Sequence, residues 1–119
     1  SSTSNPLYCA HNLYLNGELV TEVTIPSGSD IKDNAFAGCT SLTSIVLPET
    51  TTRIGWTAFW NCTNLTSITI LATTPPTLGG QTFDNCTNAV IYVPATSVET
   101  YKTANLWTAY ADKIQAIAG

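Results

Sequence analysis

The chain has 119 residues, 44% of them hydrophobic and 10% charged, which suits one folded domain with a continuous core and excludes a disordered segment. Its net charge is −4, and the basic residues Lys32, Arg53, Lys102 and Lys113 are scattered, so no basic stripe exists to neutralise phosphates. Nucleic acid and an anionic membrane surface are thereby excluded as partners, and no apolar run is long enough to span a bilayer.

Residues 1–8, opening with Ser1-Ser2-Thr3-Ser4-Asn5-Pro6, read as a linker or edge segment. No basic start with an apolar stretch behind it is present, so an exported protein would carry this chain as a mature product or an excised piece. Residues 9–26 are expected to form an entry cap and a first strand. Leu13-Tyr14-Leu15-Asn16-Gly17-Glu18-Leu19-Val20 predicts a β-hairpin turning at Asn16-Gly17. Val20-Thr21-Glu22-Val23-Thr24-Ile25-Pro26 then predicts the strand, closed by a proline that cannot donate to a ladder.

Residues 27–94 repeat themselves. Ala35-Phe36-Ala37-Gly38-Cys39-Thr40-Ser41-Leu42 returns as Ala58-Phe59-Trp60-Asn61-Cys62-Thr63-Asn64-Leu65, and again as Thr82-Phe83-Asp84-Asn85-Cys86-Thr87-Asn88-Ala89. Self-similarity at about 23 residues implies a stacked array in which each unit buries its apolar face on the next. After each phrase comes a short alternating run: Ser44-Ile45-Val46-Leu47, Ser67-Ile68-Thr69-Ile70, then Val90-Ile91-Tyr92-Val93. With the first strand, these predict four short strands lying parallel, one per unit. Ile31, Ile54 and Leu78 supply one buried anchor in each looser stretch. Ala-Phe-x-x-Cys predicts a short helical turn plugging Phe into the core, ended at Gly38, Asn61 and Asn85 by a positive φ. The third unit is degenerate, with Ala72-Thr73-Thr74-Pro75-Pro76 in place of the strand-ending turn.

Residues 95–119 are expected to close the array as a helical cap. Thr96-Ser97-Val98-Glu99 fits a capping box, with helices over 98–104 and 106–117. Val98 and Tyr101 share one face of the first; Trp107, Tyr110, Ile114 and Ile117 share one face of the second.

The pattern Arg53-Ile54-Gly55-Trp56-Thr57-Ala58-Phe59-Trp60-Asn61-Cys62, read with the strand endings, resembles the BspA-like leucine-rich repeats. The entry segment 12–20 and the closing stretch from Ile91 to Ile117 are similar to segments of that family too. The resemblance implies an α/β leucine-rich-repeat solenoid of short parallel strands, with three to four repeats of about 23 residues between a hairpin cap and a helical cap. It also implies an exported bacterial surface protein of the extracellular face, with adhesion or protein binding as the expected role. No family-wide catalytic residue accompanies it.

Residues capable of chemistry receive structural readings. Cys39, Cys62 and Cys86 hold one repeat position, so their side chains point the same way and cannot bridge each other; they read as small apolar fillers beside Phe. Cys9 is either free or reaches a neighbour in the hairpin. With no C-x-x-C pair and one His, no metal site is expected, and no cofactor. His11 has no catalytic partner in recognisable order. Glu18, Glu22, Asp30 and Asp33 read as solvated charges, and Gly79-Gly80 lacks the Lys of a phosphate loop. The Asn-x-Thr triplets at Asn61, Asn64 and Asn85 fall out of the repeat itself. No catalytic residue is therefore expected.

Two surfaces are candidates for binding. The outward strand face carries Glu22 and Thr24, Ser44 and Val46, Ser67 and Thr69, and Tyr92 as its large aromatic. Trp56 and Trp60 stand where neighbouring units hold Asp33 and Ala37, or Gly80 and Asp84; positions that accept Asp are exposed ones. Exposed tryptophans supply contact area with little ordering cost. The expected function is a non-catalytic binding or adhesion module for a protein or glycan partner. A structural spacer that self-associates through the tryptophans is the second reading, and an enzyme a distant third.

Overall fold

A computed structural model describes residues 14–15, 18–19, 21–28 and 30–117. The strands are β1 (Tyr14–Leu15), β2 (Glu18–Leu19), β3 (Glu22–Thr24), β4 (Ser44–Leu47), β5 (Arg53–Ile54), β6 (Ser67–Ile70), β7 (Thr77–Leu78), β8 (Val90–Val93) and β9 (Ile114–Ala116), with one α-helix, α1 (Val98–Thr103). β1 and β2 pair antiparallel with Leu15 opposite Glu18. The Asn16-Gly17 turn expected between them lies outside the described residues, as do Cys9 and His11.

Five strands form one parallel sheet in the order β3-β4-β6-β8-β9. The register follows the sequence period, placing Val23 beside Ile45, Ile45 beside Ile68 and Ile68 beside Ile91. Because side chains alternate along a strand, Val23, Ile45, Ile68 and Ile91 face inward together, joined by Leu47, Ile70 and Val93. Ile31, Ile54 and Leu78 are buried as expected, but they also build a second parallel ladder. β5 pairs with β7, and Ile31 bridges to Ile54. Two-residue strands have no alternation to read, so this ladder left no trace in the sequence pattern.

The Ala-Phe-x-x-Cys segments correct the expected helical turn. Each is a string of successive tight turns in which the backbone amides alternate between two kinds of partner. The amides of Ala35, Ala37 and Cys39 bond three residues back, while those of Asn34, Phe36 and Gly38 cross to the carbonyls of Trp56, Ala58 and Trp60 at 2.7–2.9 Å. The next string repeats the scheme, sending Thr57, Phe59 and Asn61 to Gly80, Thr82 and Asp84. An α-helix would consume these amides internally; here half of them tie one unit to the next. Positive φ occurs at Gly38, Asn61 and Asn85 (74°, 65° and 66°) as expected, and also at Asn34, Thr57 and Gln81 (61°, 52° and 57°). Thr57 is β-branched and ill-suited to that conformation. Its hydroxyl compensates by donating to the Trp56 carbonyl at 2.7 Å and meeting the Asn34 side-chain oxygen.

Inside the strings Phe36, Phe59 and Phe83 stack, with centroids 5.3 and 5.6 Å apart and ring planes within 7°. Cys62 and Cys86 donate thiol hydrogens to the Phe36 and Phe59 carbonyls at 3.0 and 2.9 Å, so they are rung-to-rung ties as well as fillers. Cys39 departs from the filler reading: it is disulfide-bonded, whereas Cys62 and Cys86 are free and buried. Close approach explains Gly55 and Gly79. A β-carbon on Gly55 would stand 2.4 Å from the Asp33 backbone nitrogen, and one on Gly79 would stand 2.3 Å from that of Trp56.

The C-terminal segment corrects the expected helical cap. α1 is short, and Ser97 precedes it without a side-chain cap bond, so the Thr96–Glu99 capping box does not form. The second helix is a 3-10 stretch, Trp107–Lys113, entered through Leu106 at φ 67°. Residues 114–116, expected to continue it, become β9 beside β8. The edge of β8 offers a row of unpaired backbone groups, and pairing there outweighs one more turn of helix. The expected inward faces are nonetheless kept: Tyr101, Trp107, Tyr110 and Ile114 are all buried. Three-residue spacing from Trp107 to Tyr110 suits a 3-10 helix as well as an α-helix.

Truncating the middle ring, Phe59→Ala, removes both stacking contacts and is expected to cost about 3–5 kcal/mol, read as a lower urea midpoint. Gly55→Ala forces two backbones apart and is expected to cost about 1–3 kcal/mol in the same measurement.

Candidate functional site

The outward side of the sheet presents two rows. Glu22, Ser44, Ser67 and Val90 lie side by side, as do Thr24, Val46, Thr69 and Tyr92. Glu22 and Thr24 are exposed; Ser44, Val46, Ser67, Thr69 and Tyr92 are half-buried by their neighbours in the rows. β9 adds the exposed Gln115 beside Tyr92. Sequence reasoning missed Gln115 because it placed that residue on a helix. A hydroxyl ladder borders the face, with Thr43 donating to the Thr21 carbonyl at 2.9 Å and Thr66 to the Thr43 carbonyl at 3.1 Å.

Trp56 and Trp60 project from the second turn string and are 49% and 40% exposed, although Thr57, Ala58 and Phe59 between them are buried. The helical spacing on which their sharing a side was expected is absent, since the segment is a string of turns. Local bonds hold the first of them. The Trp56 amide donates to Asp33 Oδ1 at 2.8 Å, and Arg53 approaches the same oxygen at 3.5 Å. A β-carbon at Gly80 would stand 3.2 Å from Trp56 Cδ1 and 3.5 Å from Nε1, so the indole edge rests in the space that a side chain there would fill.

The strands send Ile45, Ile68 and Ile91 inward and the turn strings send Phe36, Phe59 and Phe83 inward to the same core. What each element turns outward therefore lies on a different side of that core. The candidate residues form two surfaces: Trp56 and Trp60 on the turn side, and Glu22, Thr24, Ser44, Val46, Ser67, Thr69 and Tyr92 on the sheet.

A third feature was not expected. A cleft of about 260 Å³ at the junction of the third turn string and the 3-10 helix is lined by Asp84, Cys86, Tyr110 and Lys113 among others. Titratable groups from two segments of the chain meet there. Each group has a structural partner, however. Tyr110 donates to Asp84 Oδ1 at 2.8 Å and accepts from the Phe83 amide at 3.3 Å. Lys113 Nζ donates to the Cys86 carbonyl at 3.1 Å, and the Cys86 thiol points away to Phe59. Contact with Cys86 and burial push up the thiol of Cys62, which does not line the cleft, while contact with Cys62 brings the Cys86 thiol down against its burial. Among the described residues, no group of three or more His, Cys, Asp or Glu is placed to hold a metal ion, and no helix is long and apolar enough to cross a membrane.

The family model described as the BspA type leucine rich repeat region (6 copies) matches residues 10–110. No curated protein matches the chain.

The buried phenols predict an alkaline limit. Burial, with the Asp84 contact added, pushes Tyr110 up to about 12, and burial raises Tyr101 as well. The unfolded chain releases these protons near pH 10, so the folded state holds more protons above that value. Stability is therefore expected to be level below pH 10 and to fall as pH rises towards 12. Tyr110→Phe should lose about 1 kcal/mol at neutral pH, by the missing hydrogen bond, and show a shallower alkaline fall in urea midpoints.

Proposed function

The chain belongs to the BspA-type leucine-rich repeat family, and we propose that it is a non-catalytic binding module of an exported bacterial surface protein. In this reading the parallel strands and turn strings are a short solenoid of three to four repeats. The β1–β2 pair caps its entry, and α1 with the 3-10 helix and β9 caps its exit. Repeat modules of this family generally work as interaction surfaces, and the titratable groups of the cleft at the third turn string are engaged in holding the last unit closed.

The observation that carries the proposal is the tryptophan pair. Two large indoles are about half exposed over a string whose intervening residues are buried. Burying an indole is worth far more than its solvation costs, so such a pair left in water marks a contact surface. The backbone beneath is tied unit to unit, so little conformational freedom remains to be lost on association. One module of this size offers modest affinity, and tandem copies raise it through effective concentration.

Binding to a glycan and matrix-protein array tests the reading. Wild-type protein is expected to bind at least one glycan or matrix protein, and Trp56→Ala to weaken that binding by about 2 kcal/mol while its urea midpoint stays within about 0.5 kcal/mol of wild type. Undiminished binding by Trp56→Ala, or no binding to any member of the array, refutes the assignment of this surface.

A further inference from the structure

We infer that the partner of the tryptophan surface is a neutral polysaccharide chain; this rests on the binding-module reading above. The first support is charge. Residues 54–83, which span the tryptophans and the strand beside them, contain no Asp, Glu, Lys or Arg. The charges nearest in the ladder are the carboxylates that hold the equivalent positions in the flanking units, Asp33 beside Trp56 and Asp84 beside Trp60. Asp33 is joined by Arg53 at 3.5 Å with exposed Lys32 next to it in the chain, and Asp84 lines a cleft with Lys113, so each flanking carboxylate has a cation close by. The stretch itself offers a polyanion no cation to pair with.

The second support is the kind of polar group that remains. After the indoles in the chain come Asn61, Thr63 and Asn64, with Asn85 and Thr87 at the matching positions one unit on; all but the half-buried Asn61 are exposed, and Asn64 and Asn85 each spend one amide hydrogen on Thr40 and Asn61. Amides and hydroxyls both donate and accept, and each flanking carboxylate keeps an oxygen able to accept from a hydroxyl. That set matches the dense, uncharged hydroxyls of a sugar. A protein partner instead brings charged rim residues, for which this stretch has no complement.

Shape is the third support. Trp56 rests against the backbone at Gly80 and is pinned from below by its amide bond to Asp33. Half exposed, its indole offers flat apolar surface to the face of a pyranose ring. The surface is open, and its polar rows recur from unit to unit, which suits a chain lying across several rungs better than a single sugar held in a pocket.

Affinity electrophoresis of the whole chain through gels containing soluble glucan, mannan, galactan or xylan tests this, with an alginate gel as the polyanion. At least one neutral polymer is expected to retard the protein. Trp56→Ala and Trp60→Ala should each weaken that retardation at least tenfold, and Thr100→Ala, exposed on α1, should leave it unchanged. The same polymer should shift indole fluorescence in the wild type and less in Trp56→Ala, since buried Trp107 cannot report it. No retardation by any neutral polymer, retardation insensitive to Trp56→Ala, or equal retardation in alginate overturns the assignment. If Trp56-dependent binding is found only to a matrix protein on the array, the glycan assignment falls and the binding-module reading stands. Concentration-dependent sedimentation abolished by Trp60→Ala, with no polymer bound, makes a second copy the partner and overturns it too.

Discussion

Everything in this molecule depends on the ring of each phenylalanine lying flat on the ring of the next unit. The centroid distances of 5.3 and 5.6 Å are close to the roughly 4.8 Å between paired strands, so the stack and the sheet keep corresponding residues aligned. Aligned backbones then exchange half of their turn-string amides, and aligned strands pair in register. No unit can satisfy itself, because the amides of Asn34, Phe36 and Gly38 have their partners only in the next unit. The stack and the ladder fail together.

A stack needs an end. Phe83 would present its open ring to water, and its amide has no further turn string to reach. Tyr110 meets both needs, its ring standing edge-on to Phe83 at 5.2 Å while its hydroxyl accepts from the Phe83 amide. Tyr101 and Trp107 donate to the carbonyls of Ala72 and Pro76 at 2.6 and 2.8 Å. This accounts for the degenerate third unit. The segment Ala72-Thr73-Thr74-Pro75-Pro76 has to accept these bonds from the C-terminal segment, so it cannot keep the strand-ending turn of the earlier unit. The extra residue it carries is removed again before β8, where Val90 pairs with Ser67 in the original period.

The parallel sheet, the buried phenylalanines and the inward faces of the C-terminal residues were legible because each rests on a periodicity of side chains. What was not legible rests on the backbone. Turn strings with alternating amide partners and a short helical turn bury the same Ala and Phe, so the sequence pattern could not separate them. The conversion of residues 114–116 from helix to strand was decided by the open edge of β8, a tertiary circumstance invisible to local propensity. The exposure of Trp56 and Trp60 could be read, since the flanking units hold Asp33 and Asp84 at those positions. That they lie on the other side of the core from Tyr92 could not be read without the fold.

The tryptophans occupy the positions the architecture leaves unused. Within the second turn string, Gly55 is required by close backbone approach, Thr57 holds a left-handed conformation through its own hydroxyl, Ala58 and Phe59 are wholly buried, and Asn61 supplies the second left-handed turn. Only the side chains of residues 56 and 60 do none of this work. The flanking units place Asp33, Ala37, Gly80 and Asp84 there; Asp33 accepts from the Trp56 amide and Asp84 from Tyr110, ties that an indole, a donor only, cannot make. Large apolar residues at such sites have no stability to repay their exposure, since burying them inside would serve folding better. Their presence in this unit, with Gly80 leaving room for the indole, puts apolar contact area on the surface at positions where this unit's fold asks for none.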